Sequence, residues 1–284
     1  MRMPGVRWQM AVLLCLITTV NYIDRQAFSV AGPVITEEFG LSNTEFGLIG
    51  SAFLFAYAIG HVLAGPIIDR IGAKRAFSLA VVAWSLAGML CAAGRGFWSF
   101  LGLRSLLGLA EAANFPAALK SVSDWFPASE RSLAVGIVFV GPGLGAVLSP
   151  PLLGWLILSF GWQWAFIVPG AAGFLWLLVW QRYYHHPRVH PSLPEDERAL
   201  VLAETETPDE APPGAVFELL RERRMWVLML SRFLNDGAFY FFVFWLPLYL
   251  LQARGFDIMQ IAVFAWIPFL AADAGSLAGG WMGR

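Results

Sequence analysis

Apolar residues along the chain come in blocks of about 20, separated by short breaks rich in charge, glycine or proline. A helix rising ~1.5 Å per residue needs about 20 such residues to cross a ~30 Å hydrocarbon layer, so each block predicts a transmembrane helix. Eight spans are expected, at 9–32, 46–67, 76–94, 97–118, 132–157, 162–183, 225–251 and 258–281. Blocks this long and this continuously apolar exclude a β-barrel, whose strands alternate in hydrophobicity. The fold class is an all-α polytopic membrane protein. The first span is too long for the core of a cleaved signal, and no small-residue cleavage site follows it, so it should persist as an anchor.

Composition agrees: 58% of residues are hydrophobic and 14% charged, which leaves no room for a conventional soluble core. Lysine and arginine crowd the N-terminus, the 68–75 and 119–131 loops and the 184–224 stretch, whereas the opposite loops hold only Arg95 and Arg254. The 33–45 loop carries Glu37, Glu38 and Glu45. The positive-inside bias places the N-terminus in the cytoplasm. A net charge of −1, with no basic patch interleaved with aromatics, excludes a nucleic-acid partner. Cys15 and Cys91 fall inside spans and read as buried packing thiols. Neither a cofactor nor a metal is expected.

Residues 185–222 form the one long polar stretch, Pro- and acid-rich, and read as a cytoplasmic linker. His185, His186 and His190 lie there without a cysteine or helical spacing to support ligation, so a solvated linker is the expectation. The division is a six-helix bundle over 1–184, a linker over 185–224 and a second bundle beginning at 225–284. An internal repeat supports it. A shift of 214 residues lays AGPIIDR (64–70) on AGGWMGR (278–284), Asn21 on Asn235 and Pro33 on Pro247. Parallel transporter halves repeat in this way. The second unit is expected to hold six helices, of which the sequence contains two.

Four ionisable residues concentrate in spans one and four: Asp24, Arg25, Arg104 and Glu111. Facing lipid at helix centres, four such groups would cost on the order of 10–14 kcal/mol. They must therefore face a wet cavity or one another. Arg104 and Glu111 are two helical turns apart on one face, and Asn114 continues that face. Asn21 shares a face with Asp24 and with Arg25, while those two point about 100° apart and should engage different helices. Arginine stays charged and grips a carboxylate bidentately. Carboxylates in a half-dehydrated cavity can exchange protons. The arrangement suits a site that holds an anion on arginine and a proton on Asp24 or Glu111. Interhelical salt bridges that merely join spans one and four are the structural alternative. Tyr57 offers a cavity hydroxyl, and His61, one turn on, reads as a packing donor. Arg232 and Asp236 lie at i, i+4 and are expected to pair, and Asp273 stays unassigned. Gly141, Gly143 and Gly145 around Pro142 permit close helix approach.

GPIIDRIGAKR, from residue 65, resembles the signature loop of the major facilitator superfamily. NYIDR (21–25) together with RSLLGLAEAANFPA (104–117) resembles its anion:cation symporter family. FWLPLYLLQARGF and FAWIPFLAADAGSLAGG look like the branch for bacterial hexuronates and aldonates. The resemblance implies a twelve-helix transporter that alternates access to a central site and couples an organic anion to protons. It implies Asp24 and Glu111 as the protonatable carboxylates and Arg25 and Arg104 as the cations. Tyr22, Tyr57, Asn21, Asn114 and Asn235 would lie near the substrate, and Gly65, Asp69, Arg70, Gly72 and Arg75 would form a cytoplasmic gate. A monomer in a bacterial inner membrane is expected. The competing readings are a membrane-embedded hydrolase using Asp24 and Glu111, a non-transporting eight-helix chain, and an exporter of lipophilic cations.

Overall fold

The computed structural model describes residues 5–205 and 221–271, without the side chains of Ala203, Glu204, Thr205, Arg232, Asn235 and Ala238. Asp273 and the second copy of the repeated heptapeptide lie outside the described residues, as does the side chain of Asn235. Among the described residues every regular element is helical: α1 (Val6–Phe39), α2 (Asn43–Ile71), α3 (Ala73–Cys91), α4 (Phe97–Glu111), α5 (Asn114–Trp125), α6 (Ala128–Phe160), α7 (Trp164–Tyr183), α8 (Glu195–Thr205), α9 (Arg223–Arg254) and α10 (Ile258–Phe264). Five of them (α1, α2, α3, α6 and α7) are long and apolar enough to cross a membrane. Leu79, Leu175, Phe55 and Val62 point outward and are exposed, as a lipid-facing surface requires. The chain is a multi-pass membrane protein.

Local chemistry sets the helix ends. α1 stops at Gly40, whose left-handed φ of 63° only glycine adopts without cost. Two residues later Ser42 and Glu45 close a reciprocal capping box that starts α2. The same device recurs at the α9–α10 junction, where Gly255 at φ 69° is followed by the Asp257–Gln260 capping box. The two turns resemble each other, with the second displaced by one residue from the 214-residue register.

Four expectations need correction. Span four is not one helix: a turn at Ala112–Ala113 separates α4 from α5. Pro116 explains the break, because it has no N–H to bond the Ala112 carbonyl yet sits comfortably in a first helical turn. The acidic 33–45 loop is mostly the last turns of α1, and the 68–75 loop shrinks to Gly72 between α2 and α3. Cys91 is buried but Cys15 is half-exposed. The 185–205 segment, largely exposed, packs on the bundle at a few points. Pro187–Val189 form a 3₁₀ turn, the His190 ring packs edge-on against Trp125 at 5.2 Å, and Glu197 is buried. Both Glu197 oxygens accept from the backbone N–H groups of Val6 and Arg7, and Arg7 also pairs with Glu130.

Small residues hold the bundle together, as expected where lipid gives helices no hydrophobic reason to associate. α1 packs chiefly on α6, where a side chain at Gly145 would lie 2.6 Å from Tyr22 Cβ and 2.8 Å from the Thr19 carbonyl. Gly141, one turn away, meets the Cys15 carbonyl in the same manner. α2 packs on α4 at Gly60, and α3 on α7 at Gly170.

Candidate functional site

Arg25 stands at the centre of the bundle and is fully enclosed. Its Nε donates to Glu111 Oε2 at 2.9 Å, and Nη2 lies 2.9 Å from the same oxygen without the angle of a hydrogen bond. Nη1 donates to the Tyr240 hydroxyl at 3.3 Å. The guanidinium carbon sits 4.4 Å from the Tyr57 ring centre, 4.8 Å from Tyr22 and 5.2 Å from Phe53, a cage suited to a cation. Glu111 Oε1 has no partner, so the pair is engaged through one carboxylate oxygen only.

Arg104 lies one layer behind, between the rings of Phe53 (4.4 Å) and Phe28 (5.3 Å). Its Nη2 reaches the Arg25 carbonyl at 3.4 Å, and its Nε and Nη1 are unpaired. Asp24 turns the other way, toward α3, and neither of its oxygens is hydrogen-bonded. Asn21 and Asn114 are fully buried, and both amides are unpaired.

A cavity of about 1350 Å³ opens between α2 and α9. Tyr57, His61 and Ser51 line one wall and Asp236, Tyr240 and Phe244 the other. Arg25 touches it through Tyr57 and Tyr240. The His61 ring lies tilted against that of Tyr57, with centres 4.6 Å apart, and its Nδ1 has no hydrogen-bond partner. Besides the Arg25–Tyr240 hydrogen bond, further contacts tie α9 to the first bundle: Ser29 Oγ donates to the Phe244 carbonyl at 2.9 Å, Asn43 and Gln252 exchange amide hydrogen bonds, and Trp245 rests on Gly47. All lie toward the end with the α1–α2 turn. Toward the other end α9 stands clear, with Leu228, Leu234 and Phe233 exposed. At that end Asp69, Arg70 and Arg75 are exposed and engage no partner among the described residues.

This frame, six helices with a glycine-built interior and a related helix pair facing the cavity, has known counterparts. The profile described as Major Facilitator Superfamily matches residues 14–284. The chain belongs to that superfamily. Within it, the chain is 37% identical to the hexuronate transporter of Escherichia coli K12, the match covering 99% of this chain and 66% of the relative. It is 36% identical to the galacturonate transporter of Dickeya chrysanthemi, covering 99% and 82% respectively. A D-galactonate transporter of E. coli O6:H1 is 32% identical. These superfamily relatives are named as transporters, which removes the hydrolase reading. Among solved structures, a bacterial homologue of the human lysosomal transporter Spinster, inward-facing and unoccupied, superimposes with a TM-score of 0.80 at 24% identity. That match covers 99% of this chain and 63% of the other, and it shows the fold. The chain thus spans about two-thirds of the length of several of the proteins it matches.

Sequence reasoning missed Tyr240 and Ser29. Tyr240 had a signal, since Asp236 and Tyr240 at i, i+4 form the polar stripe of an otherwise apolar helix. Ser29 had none, because its role depends on a backbone carbonyl of another helix.

Proposed function

We propose that the protein is a secondary active transporter that brings a sugar-acid anion, a hexuronate or aldonate, into the cell by proton-coupled symport with alternating access. One observation carries this reading: a fully buried arginine, half-engaged by Glu111, directly behind the Tyr57 and Tyr240 that line a cavity large enough for a six-carbon acid. The names of the relatives support the substrate class. A substrate carboxylate takes the bidentate face of Arg25 when a proton on Glu111 releases that face. Asp24 carries a second proton. The cavity opens toward the end with Asp69 and Arg70, which is cytoplasmic by the positive-inside bias, so this arrangement corresponds to an inward-open state with the N-terminus in the cytoplasm of the bacterial inner membrane.

Two protons per monoanion would make transport electrogenic, driven by about 2.3 kcal/mol per net charge per 100 mV. The test is uptake of labelled glucuronate and galactonate by the full-length protein in proteoliposomes under an inward proton gradient, beside Asp24→Asn and Glu111→Gln. Gradient-driven accumulation lost in both variants supports the assignment. Accumulation that ignores membrane potential at a fixed pH gradient rejects the stoichiometry. Accumulation of neither acid by folded protein rejects the substrate class and points to another organic anion.

A further inference from the structure

Asp24 and Arg25 are adjacent in sequence but serve opposite sides of α1. Arg25 faces the cavity through Tyr57 and Tyr240. The Asp24 carboxyl instead reaches α3 at Gly88, and its place there is defined by a missing side chain. A Cβ on Gly88 would lie 2.6 Å from each Asp24 oxygen and 2.9 Å from its carboxyl carbon. Asp24 is 1% exposed, and no side chain or backbone group bonds either oxygen. The charged groups acting on it are Glu111 and Arg104 of α4 and Arg25 of its own helix, none within hydrogen-bond distance. Residues that line the cavity come from α2 and α9 and include Phe28 of α1; Asp24 and Arg25 both lie behind them, but Arg25 contacts the lining residues Tyr57 and Tyr240.

We infer that Gly88 is a positioning residue for proton coupling: it provides the seat in which the Asp24 carboxyl holds its proton, on the α3 side of α1 and apart from the anion cavity. This rests on Asp24 as a proton carrier. The glycine admits the carboxyl at a depth where any side chain would expel it toward Arg104 or the cavity. Expelled, the group meets arginine and gives up its independent protonation, while the Arg25 cage and the cavity walls keep their positions. α1 then works as a two-sided element, with the anion read on one face and the proton on the other.

The experiment compares gradient-driven glucuronate uptake with counterflow exchange, which needs substrate binding and alternation but no net proton movement. The full-length protein and Gly88→Ala are reconstituted in proteoliposomes, with Gly154→Ala as a control for a tight glycine contact away from the charged residues, in the α6–α10 seam, where its Cβ would meet Ala262 Cβ at 2.5 Å. Moving a reacting group by about 1 Å costs up to ~100-fold, so Gly88→Ala should lower the ratio of driven uptake to exchange by about tenfold or more. Gly154→Ala should leave the ratio unchanged. Equal loss of both activities in Gly88→Ala makes Gly88 a packing residue and overturns the inference. Asp24→Glu provides a test without altering the glycine: its extra methylene does not fit the seat, so driven uptake should fail although the carboxylate is kept. Wild-type-like driven uptake by Asp24→Glu would also overturn it. A wild-type protein that exchanges substrate but never accumulates it down a proton gradient would instead reject proton coupling itself.

Discussion

Glu111→Gln separates a pair that serves transport from one that merely joins helices. Arg25 is enclosed, with Nε and Nη2 each 2.9 Å from Glu111 Oε2. Removing one charge of a buried pair costs about 3–5 kcal/mol, because the other charge is left uncompensated. The glutamine oxygen still accepts from Nε and returns about 1 kcal/mol. The aromatic cage around Arg25 is present in both proteins and drops out of the difference. The net loss is therefore about 2–4 kcal/mol. Adding Arg25→Met removes the orphaned charge, so the double variant should be more stable than Glu111→Gln alone, while both stay inactive. Denaturant unfolding of the full-length protein in detergent micelles, followed by tryptophan fluorescence, gives the cycle. A cost below about 1 kcal/mol for Glu111→Gln, the size of an exposed ion pair, would refute the burial reasoning. So would strict additivity, which marks groups that do not interact.

Gly145→Ala should destabilise the fold by about 1–3 kcal/mol, because α1 and α6 must separate to admit the methyl group; unfolding at the wild-type denaturant concentration would refute this close seam. Tyr240→Phe removes the hydroxyl that accepts from the charged Arg25, which is worth about 1.5–3 kcal/mol, and should change KM for the anion by several fold with folding intact. Burial against Trp125 holds the His190 imidazolium below its ordinary range. The unfolded chain protonates His190 near pH ~6.5 and the folded one only at lower pH, so its stabilising contribution is complete above that value and falls as pH drops through the folded value. Limited proteolysis within 185–205 should accelerate on acidification, and a profile that His190→Gln leaves unchanged would refute the link.

Most of the fold could be read from sequence because hydrocarbon thickness fixes helix length and backbone chemistry fixes helix content. The spans, the 214-residue repeat and the divergence of Asp24 from Arg25 all follow from periodicity. What escaped depended on partners far along the chain. Nothing around Gly88 announces that it seats a carboxyl from α1. Glu197 read as one acid among many in a polar stretch, yet it caps the N-terminus of α1. The break in span four was available in Pro116, but continuous hydrophobicity outweighed it.

The two repeats divide the labour unequally. α1 and α9 share a frame of proline, left-handed glycine and capping box, but the positions matching Asp24 and Arg25 hold Ala238 and Phe239. α9 offers the first bundle a tyrosine hydroxyl, a backbone carbonyl and an amide. Such contacts are worth about 0.5–1.5 kcal/mol each, or about 1.5–3 where one partner is charged, so under the proposed alternating access helices that part in each cycle can exchange them. An ion pair buried across the same seam would cost about 3–5 kcal/mol to break. Placing the buried Arg25–Glu111 pair between α1 and α4 keeps the strong pairing inside one bundle and leaves the weak pairing between the parts that the proposed cycle separates. Tyr240→Glu should therefore place a carboxylate against Arg25, stabilise this arrangement toward denaturant and depress exchange as well as driven uptake. Greater stability with undiminished exchange would refute this division of strong and weak contacts.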